Sequence, residues 1–312
     1  MSLTFDDGPF GYSSKLDATL NAANTKGTFF INGNNWGCIY DYADALLDRF
    51  NKGHLIGSHT WSHVHLNEGT YAQISHQLEL VEQFSSAKHN NSIAGLLADE
   101  HCTSFAQAMI KILGVKPLYM RPPYGTSDFC SGMYSFHLTP ETILKVLGDR
   151  GYKGLFMWNQ DSGDTFTPTP SPAEIIERYR SFPAGSNILN HEVKDFTVEQ
   201  VSILFSQLFA FLRVSNMPLT TRASPWFVVI PAVIPMLQKK GFSLMTSVII
   251  AHNCSYSHPC SHFVSRSTTI RKSTECLGLS SNPKDWYVQV QKPGVRDASW
   301  TCASSPLPGK FE

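Results

Sequence analysis

Residues 2–9 of the chain read SLTFDDGP, a short apolar run that ends in two adjacent carboxylates and a Gly-Pro pair. Consecutive side chains on a β-strand face opposite sides. A turn at Gly8 and Pro9 can nevertheless bring both Asp6 and Asp7 to one rim of a sheet. An ordinary polar turn with two solvated carboxylates is the alternative interpretation of the same residues.

Similar short apolar segments recur along the chain and alternate with helical patterns. We predict strands at residues 2–5, 28–31, 55–58, 118–121, 154–158, 187–190 and 242–246. Helices are predicted to begin at Thr139-Pro140 and at Ser171-Pro172, with others at residues 41–50 and 70–84. Glu174 is placed to complete a capping box with Ser171. The alternation predicts an α/β fold with a parallel sheet, and about seven units favour a closed or nearly closed (β/α) barrel.

Composition limits the class of the protein and its partners. The chain has 312 residues, 42% of them hydrophobic, and we expect a single domain over residues 1–312. Lys plus Arg and Asp plus Glu balance at 25 each, which argues against a dedicated nucleic-acid-binding protein. No apolar run reaches the roughly 18 residues of a transmembrane helix, and no signal peptide is visible. Stretches near residues 85–105, 127–137, 204–228 and 247–271 lack periodicity and are interpreted as insertions.

Residues 59–63 read HTWSH and place two imidazoles four residues apart. In a helix, His59 and His63 would share one face, and two rings with that spacing can reach a single metal ion. Two histidines and one carboxylate leave a coordination position open for water, as in catalytic zinc sites. Solvated histidines with this spacing are the alternative. His65, two residues after His63, is predicted to face elsewhere, as a structural or solvent-exposed residue.

Three further polar groups follow predicted strands. Residues 121–125 (RPPYG) give a rigid turn whose Arg121 can hold a carboxylate. Residues 161–164 (DSGD) supply two carboxylates, and His191 ends the strand at residues 187–190. Taken singly, each has an ordinary explanation as a solvated arginine, a polar loop or a structural histidine. Their common position after strands indicates one joint site.

Together, residues 4–9, 59–63, 121–125, 161–164 and 189–191 resemble the five ordered motifs of the polysaccharide deacetylases, which are carbohydrate esterase family 4 with the NodB-homology fold. Residues 29–36 (FFINGNNW), 112–117 (ILGVKP) and 286–288 (WYV) are similar to fungal chitin deacetylases in particular. The resemblance covers about two-thirds of the chain. It implies a distorted (β/α) barrel and metal-assisted hydrolysis of N-acetyl groups on chitin or another N-acetylated glycan.

The resemblance also implies a metal site. Asp7, His59 and His63 match the ligand positions of the family, with zinc as the expected ion and cobalt as the second choice. By the same resemblance the protein would be secreted or held in the cell wall, and Cys38 would pair with a C-terminal cysteine, Cys276 or Cys302.

Catalytic roles follow from the same motifs. Asp6 would be the general base, oriented by Arg121. His191 would be the general acid, supported by a hydrogen bond to Asp161, and the backbone N–H of Tyr124 would hold the oxyanion.

One position departs from the family pattern. The family usually has Trp after the second Asp of its fourth motif, where this chain has Thr165, and Phe166 is the candidate replacement ring. A deacetylase of peptidoglycan or acetyl-xylan, and a non-catalytic glycan-binding relative, remain alternatives to a chitin deacetylase.

Overall fold

Strands and helices alternate along the chain in this computed structural model, which describes residues 1–81, 108–125, 140–195, 229–252, 262–263, 271–272 and 279–312. The helices are α1 (Ser13–Ala22), α2 (Ala43–Asn51), α3 (Tyr71–Val81), α4 (Ala108–Leu113), α5 (Pro140–Asp149), α6 (Pro172–Ser181), α7 (Val229–Lys239) and α8 (Ser247–His252). The strands are β1 (Ser2–Asp6), β2 (Thr28–Ile31), β3 (Leu55–Ser58), β4 (Val115–Pro117), β5 (Tyr119–Met120), β6 (Gly154–Leu155), β7 (Gln160–Asp161), β8 (Asn187–His191), β9 (His262–Phe263), β10 (Arg271–Lys272) and β11 (Tyr287–Gln289).

Seven parallel strands form the centre of the fold, in the order β6-β5-β3-β2-β1-β8-β7. Beyond β6, the sheet continues with β9, which pairs antiparallel with β6, and β10, which pairs antiparallel with β9. The predicted α/β fold with about seven parallel strands is therefore confirmed. It is a half-barrel rather than a closed barrel, because among the described strands β7 and β10 end the sheet and do not pair with each other.

The parallel arrangement brings several strand ends to one rim. Asp6 at the end of β1 is the register partner of His191 at the end of β8. His59 follows β3 and Arg121 follows β5 directly. The carboxyl ends of parallel strands lie at the same edge of a sheet, so four of the predicted site residues share that edge.

Most predicted strands are present, but one prediction is wrong, and five described strands were not predicted: β4, β7, β9, β10 and β11. Residues 242–246 form no strand: the amino group of Met1 donates to the carbonyl of Ser243 (2.9 Å), and the N–H of Met245 donates to the carbonyl of Met1 (3.0 Å). Both bonds go to one residue, so no ladder of successive partners forms. The strands that were not predicted have only two or three residues each, which is too short for a periodic pattern.

The helices follow the predicted capping signals. At the start of α6, the Ser171 hydroxyl accepts the N–H of Glu174 (3.3 Å), and the Glu174 carboxylate accepts the N–H of Ser171 (2.7 Å). This reciprocal pair is the predicted capping box. On the sheet, Phe5 and Phe29 stack with ring centroids 5.2 Å apart, and both are fully buried between the strands and the helices.

The C-terminal segment packs back onto the first half of the chain. β11 pairs antiparallel with β4, and a disulfide joins Cys38 to Cys302, as the family resemblance implied. The segments interpreted as insertions lie outside the described residues, except that the last begins as α8, includes β9 and ends at the first residue of β10. The single domain over residues 1–312 and its insertions stay predictions.

None of the helices in the described part of the chain combines the length and hydropathy needed to cross a bilayer.

Candidate active site

The turn after β1 brings two consecutive carboxylates to the same rim. Asp6 is buried at the end of the strand, and Asp7 adopts a left-handed backbone with φ of 71°. This change of backbone direction removes the alternation that an extended strand would impose. The next residue is a glycine because the fold leaves no room for a side chain at this position: a Cβ on Gly8 would lie 1.9 Å from a carboxylate oxygen of Glu192.

The segment with the two histidines is a loop, so a shared helical face is not what brings them together. Thr60 and His63 have φ of 68° and 56°, and these two left-handed residues curl the chain after β3. The rings of His59 and His63 still meet, with centroids 5.0 Å apart. The side-chain amide of Asn32 fixes the loop by donating to the carbonyls of His59 (2.6 Å) and Thr60 (3.0 Å).

Ser62, between the two histidines, is held by the protein's C-terminal segment. Its N–H and its hydroxyl both donate to the Gln77 side-chain oxygen at 3.0 Å. Its hydroxyl also contacts the carbonyl of Lys310, and its carbonyl accepts the N–H of Gly309. The loop that carries both histidines is therefore anchored from two sides.

Asp7, His59 and His63 form a cluster that could hold a metal ion. Their ligand atoms lie within 4.8 Å of one another, with Asp7 Oδ1 3.0 Å from His63 Nε2 and 3.7 Å from His59 Nε2. The Nδ1 of His59 lies 2.7 Å from the carbonyl of Arg121 and donates to it, which leaves the Nε2 lone pair directed at the cluster.

Protonation also suits His59 and Asp7 to a cation. Burial, together with the nearby His63, lowers the pKa of His59 to about 3, so its ring is neutral. Burial works to raise the pKa of Asp7, but the hydrogen bond and charge of His63 prevail and hold that pKa below its usual range. A neutral imidazole and an ionised carboxylate are the forms that ligate metals.

A second carboxylate beside the cluster is held by an arginine. Asp6 Oδ2 lies 3.7 Å from His59 Nε2, while Asp6 Oδ1 accepts a hydrogen bond from Arg121 at 2.8 Å. Arg121 is fully buried and also donates to the carbonyl of Phe156 (3.0 Å) and the hydroxyl of Thr4 (2.7 Å). Burial raises the pKa of Asp6 to about 6, against the opposing charge of Arg121.

His191 is paired with Asp164, which corrects the predicted role of Asp161. Asp164 accepts hydrogen bonds from the His191 ring Nδ1 (2.8 Å) and from its backbone N–H (2.7 Å). The Asp161 carboxylate instead turns back on its own loop and accepts the N–H of Gly163 at 2.7 Å. This bond to the N–H two residues ahead is a local turn of the kind that Asp side chains commonly form.

Asp164 also sets the protonation of His191. Burial lowers the pKa of that ring, but the charge and hydrogen bond of Asp164, helped by Asp7 and Asp6, raise it to about 9. His191 is therefore protonated near neutral pH.

Tyr124 lies at the open rim of the site. Its backbone has φ of 60° after the two prolines, and the residue is 53% exposed. The ring stacks on His65, with centroids 3.6 Å apart and planes 8° from parallel, and meets His63 edge-on at 4.5 Å. His65 is solvent-exposed as predicted, but it borders the site instead of facing away from it.

Phe166 is the candidate replacement for the tryptophan that the family usually has in its fourth motif. Its ring packs against the guanidinium of Arg178, whose Cζ lies 4.9 Å from the ring centroid.

Fold and site together define an α/β half-barrel with a His-His-Asp cluster between a carboxylate–arginine pair and a histidine–carboxylate pair. The sequence model of the family described as "Polysaccharide deacetylase" matches residues 1–91. A chitin deacetylase from a Pestalotiopsis species is 42% identical over 127 residues, covering 41% of this chain and 35% of the relative. A chitin deacetylase from Colletotrichum lindemuthianum is 30% identical over 208 residues, covering 64% of this chain and 68% of the relative.

Solved structures agree with the sequence relatives. The structure of the chitin deacetylase from the fungal pathogen Colletotrichum lindemuthianum matches with a TM-score of 0.54 and 25% identity, covering 80% of this chain and 85% of that one. The chain belongs to the polysaccharide deacetylases, the hydrolases of carbohydrate esterase family 4. It spans between about a third and a half of the length of the first curated relatives it matches.

Proposed function

We propose that this protein hydrolyses N-acetyl groups on chitin or chito-oligosaccharides, giving glucosamine units and acetate. The observation that carries the proposal is the position of Asp6. Its carboxylate lies 3.7 Å from a nitrogen of the metal-type cluster but is held by Arg121 instead of belonging to the cluster. A carboxylate so placed can accept a proton from a water molecule beside the cluster.

The proposed acid and base have opposite protonation near neutral pH. With a pKa of about 6, Asp6 is mostly ionised and takes the proton of the attacking water. With a pKa of about 9, His191 is protonated and delivers a proton to the departing amine. Amide hydrolysis needs both transfers, so activity is expected between these two values.

The donor set of Asp7, His59 and His63 suits zinc, which takes imidazole nitrogens and carboxylate oxygens and keeps a position open in catalytic sites. Cobalt is the second candidate. The ion would supply Lewis acidity toward the acetyl carbonyl and the attacking water. Arg121 orients Asp6, and the backbone N–H of Tyr124 is proposed as the donor to the oxyanion.

The choice of chitin as substrate is supported by the relatives named chitin deacetylase. We further propose that the protein acts outside the cell or in the cell wall. The Cys38–Cys302 disulfide supports this location, because disulfides persist in oxidising compartments.

Acetate release from chito-oligosaccharides tests the proposal, with acetyl-xylan and peptidoglycan fragments assayed in parallel. We expect release from the chitin substrate that is abolished by a chelator and restored by zinc. A protein that binds oligosaccharide and releases no acetate with any metal would be the non-catalytic relative instead.

Two variants separate the roles in the site. Asp6→Asn should keep zinc at the level of the unmodified protein and lose turnover, because the amide cannot accept the water proton. His59→Ala should lose both zinc and turnover. Zinc content by elemental analysis, measured beside acetate release, checks both, and a normal rate for Asp6→Asn would show that another group is the base.

A further inference from the structure

A buried group of three charged side chains lies directly beneath the turn that carries Asp6 and Asp7. Arg49 of α2 is fully buried, and its Nε lies 2.9 Å from Asp17 of α1. Its NH1 lies 3.0 Å from Glu192, which is also fully buried. The guanidinium lies 3.6 Å from the centroid of the Phe29 ring, so it is fixed on one face by the core.

Glu192 connects this charged group to both sides of the site. It follows His191 in the chain, and its N–H donates to the carbonyl of Asp6 at 3.2 Å. Its carboxylate accepts the hydroxyl of Ser13 at 2.6 Å, and that hydroxyl accepts the N–H of Phe10 at 2.9 Å. The same carboxylate occupies the space beside Gly8. Glu192 thus reaches the turn of residues 6–10 in three ways: its backbone N–H bonds to Asp6, its side chain lies beside Gly8, and Ser13 links its carboxylate to Phe10.

Placing three charges in a core is costly unless every partner is present. A purely structural ion pair between α1 and α2 would need Asp17 and Arg49 alone. The second carboxylate, that of Glu192, has a further use. It connects the helix pair α1 and α2 to the turn of residues 6–10, and Glu192 is joined directly to His191 in the chain.

We propose that Glu192 is a positioning residue that fixes the Asp6–Asp7 turn and His191 relative to each other through Arg49 and Ser13. This inference rests on the proposed deacetylase function for its kinetic test. It is independent of that function for its metal test, because Asp7 is on the same turn.

The decisive comparison is Glu192→Gln against Asp17→Asn. Each variant removes one carboxylate charge from Arg49 and keeps the shape of the side chain, but only Glu192 contacts the turn. For Glu192→Gln we expect kcat to fall on the order of tenfold or more, because small displacements of reacting groups are costly. KM should change by less than about threefold, since the substrate groove is not altered. For Asp17→Asn, kcat should stay within about twofold of the unmodified protein at matched folded fraction.

A second measurement does not depend on turnover. The visible absorption spectrum of the Co2+-loaded protein reports ligand geometry, and Co2+ titration reports affinity. Glu192→Gln should shift the spectrum or weaken Co2+ binding, whereas Asp17→Asn should do neither. If the unmodified protein releases no acetate, the proposed function fails and this spectral comparison still decides the inference.

Ser13→Ala provides a variant that leaves all three charges in place. It removes the link from Glu192 to the N–H of Phe10, and it should reproduce the fall in kcat and the spectral change in weaker form. Equal effects of Glu192→Gln and Asp17→Asn on kcat and on the Co2+ spectrum would overturn the proposal, as would kcat and spectra for Glu192→Gln and Ser13→Ala that match those of the unmodified protein.

Discussion

Replacing Asp164 by Asn should move the alkaline limit of activity. Asp164 is nearly fully buried, and its charge is the main reason that the pKa of His191 rises from 6.5 to about 9 despite burial. Without the charge, we expect that pKa to return to 6.5 or below. At pH 8 the protonated fraction of His191 would then fall from about nine-tenths to about 3%, a loss of roughly 30-fold in kcat/KM. At pH 6 the same calculation gives a loss of less than about twofold.

The contribution of the His191–Asp164 pair to the free energy of unfolding should also decrease as pH rises. A histidine whose pKa is raised in the folded state stabilises the protein fully below its unfolded value of 6.5, and this contribution is lost as pH rises through about 9. The raised value corresponds to roughly 3 kcal/mol. Asp164→Asn should therefore lower the free energy of unfolding by about that amount at pH 6 and by much less at pH 9.5.

The assay is acetate release from chito-oligosaccharides between pH 5.5 and 9.5, with urea unfolding at the two ends of the range. Asp161→Asn is the matched control, because its carboxylate bonds to Gly163 and not to the His191 ring. Its alkaline limit should stay near that of the unmodified protein. An unmoved limit in Asp164→Asn, or an equal shift in both variants, would refute His191 as an acid tuned by Asp164.

Two further changes test the scaffold. Cys302→Ser opens the disulfide to Cys38 across a sequence separation of 264 residues, and we expect a loss of roughly 2–4 kcal/mol in thermal unfolding. A reductant should destabilise the unmodified protein equally and leave the variant unchanged; identical melting of variant and unmodified protein without reductant would contradict this. Ser171→Ala removes the capping box of α6 and should cost about 1 kcal/mol in urea unfolding with kcat unchanged. A loss of activity in that variant would mean that α6 influences the site.

Features that depend on residues close together in the chain, such as strands, helix caps and strand-end residues, could be predicted from the sequence. The strands at residues 28–31 and 55–58 have the predicted bounds, and α6 begins with the predicted capping box. The motif residues Asp6, His59 and Arg121 are all at the rim because each ends or directly follows a parallel strand. The segment at residues 242–246 shows where such prediction fails. Its apolar composition is typical of a strand, but its backbone bonds to Met1 alone and not to successive residues of a neighbouring strand.

The partner of His191 could not be predicted from sequence alone. Asp161 and Asp164 are both carboxylates in one short loop, and only the folded path of that loop shows that Asp164 faces the histidine. The helical face expected for His59 and His63 is likewise replaced by two left-handed loop residues, although the rings still converge.

The amino-acid sequence determined the order of strands and helices, the residue types of the site and their attachment to strand ends. These depend on periodicity, capping and turn chemistry, which act over a few residues. The tertiary structure alone decided which carboxylate meets His191, how the loop of His59 and His63 curls, and that Glu192 joins Arg49 beneath the turn. These pairings join residues that are far apart in the chain, or they involve one of two similar residues in the same loop. They depend on burial and on the path of the chain in the folded protein.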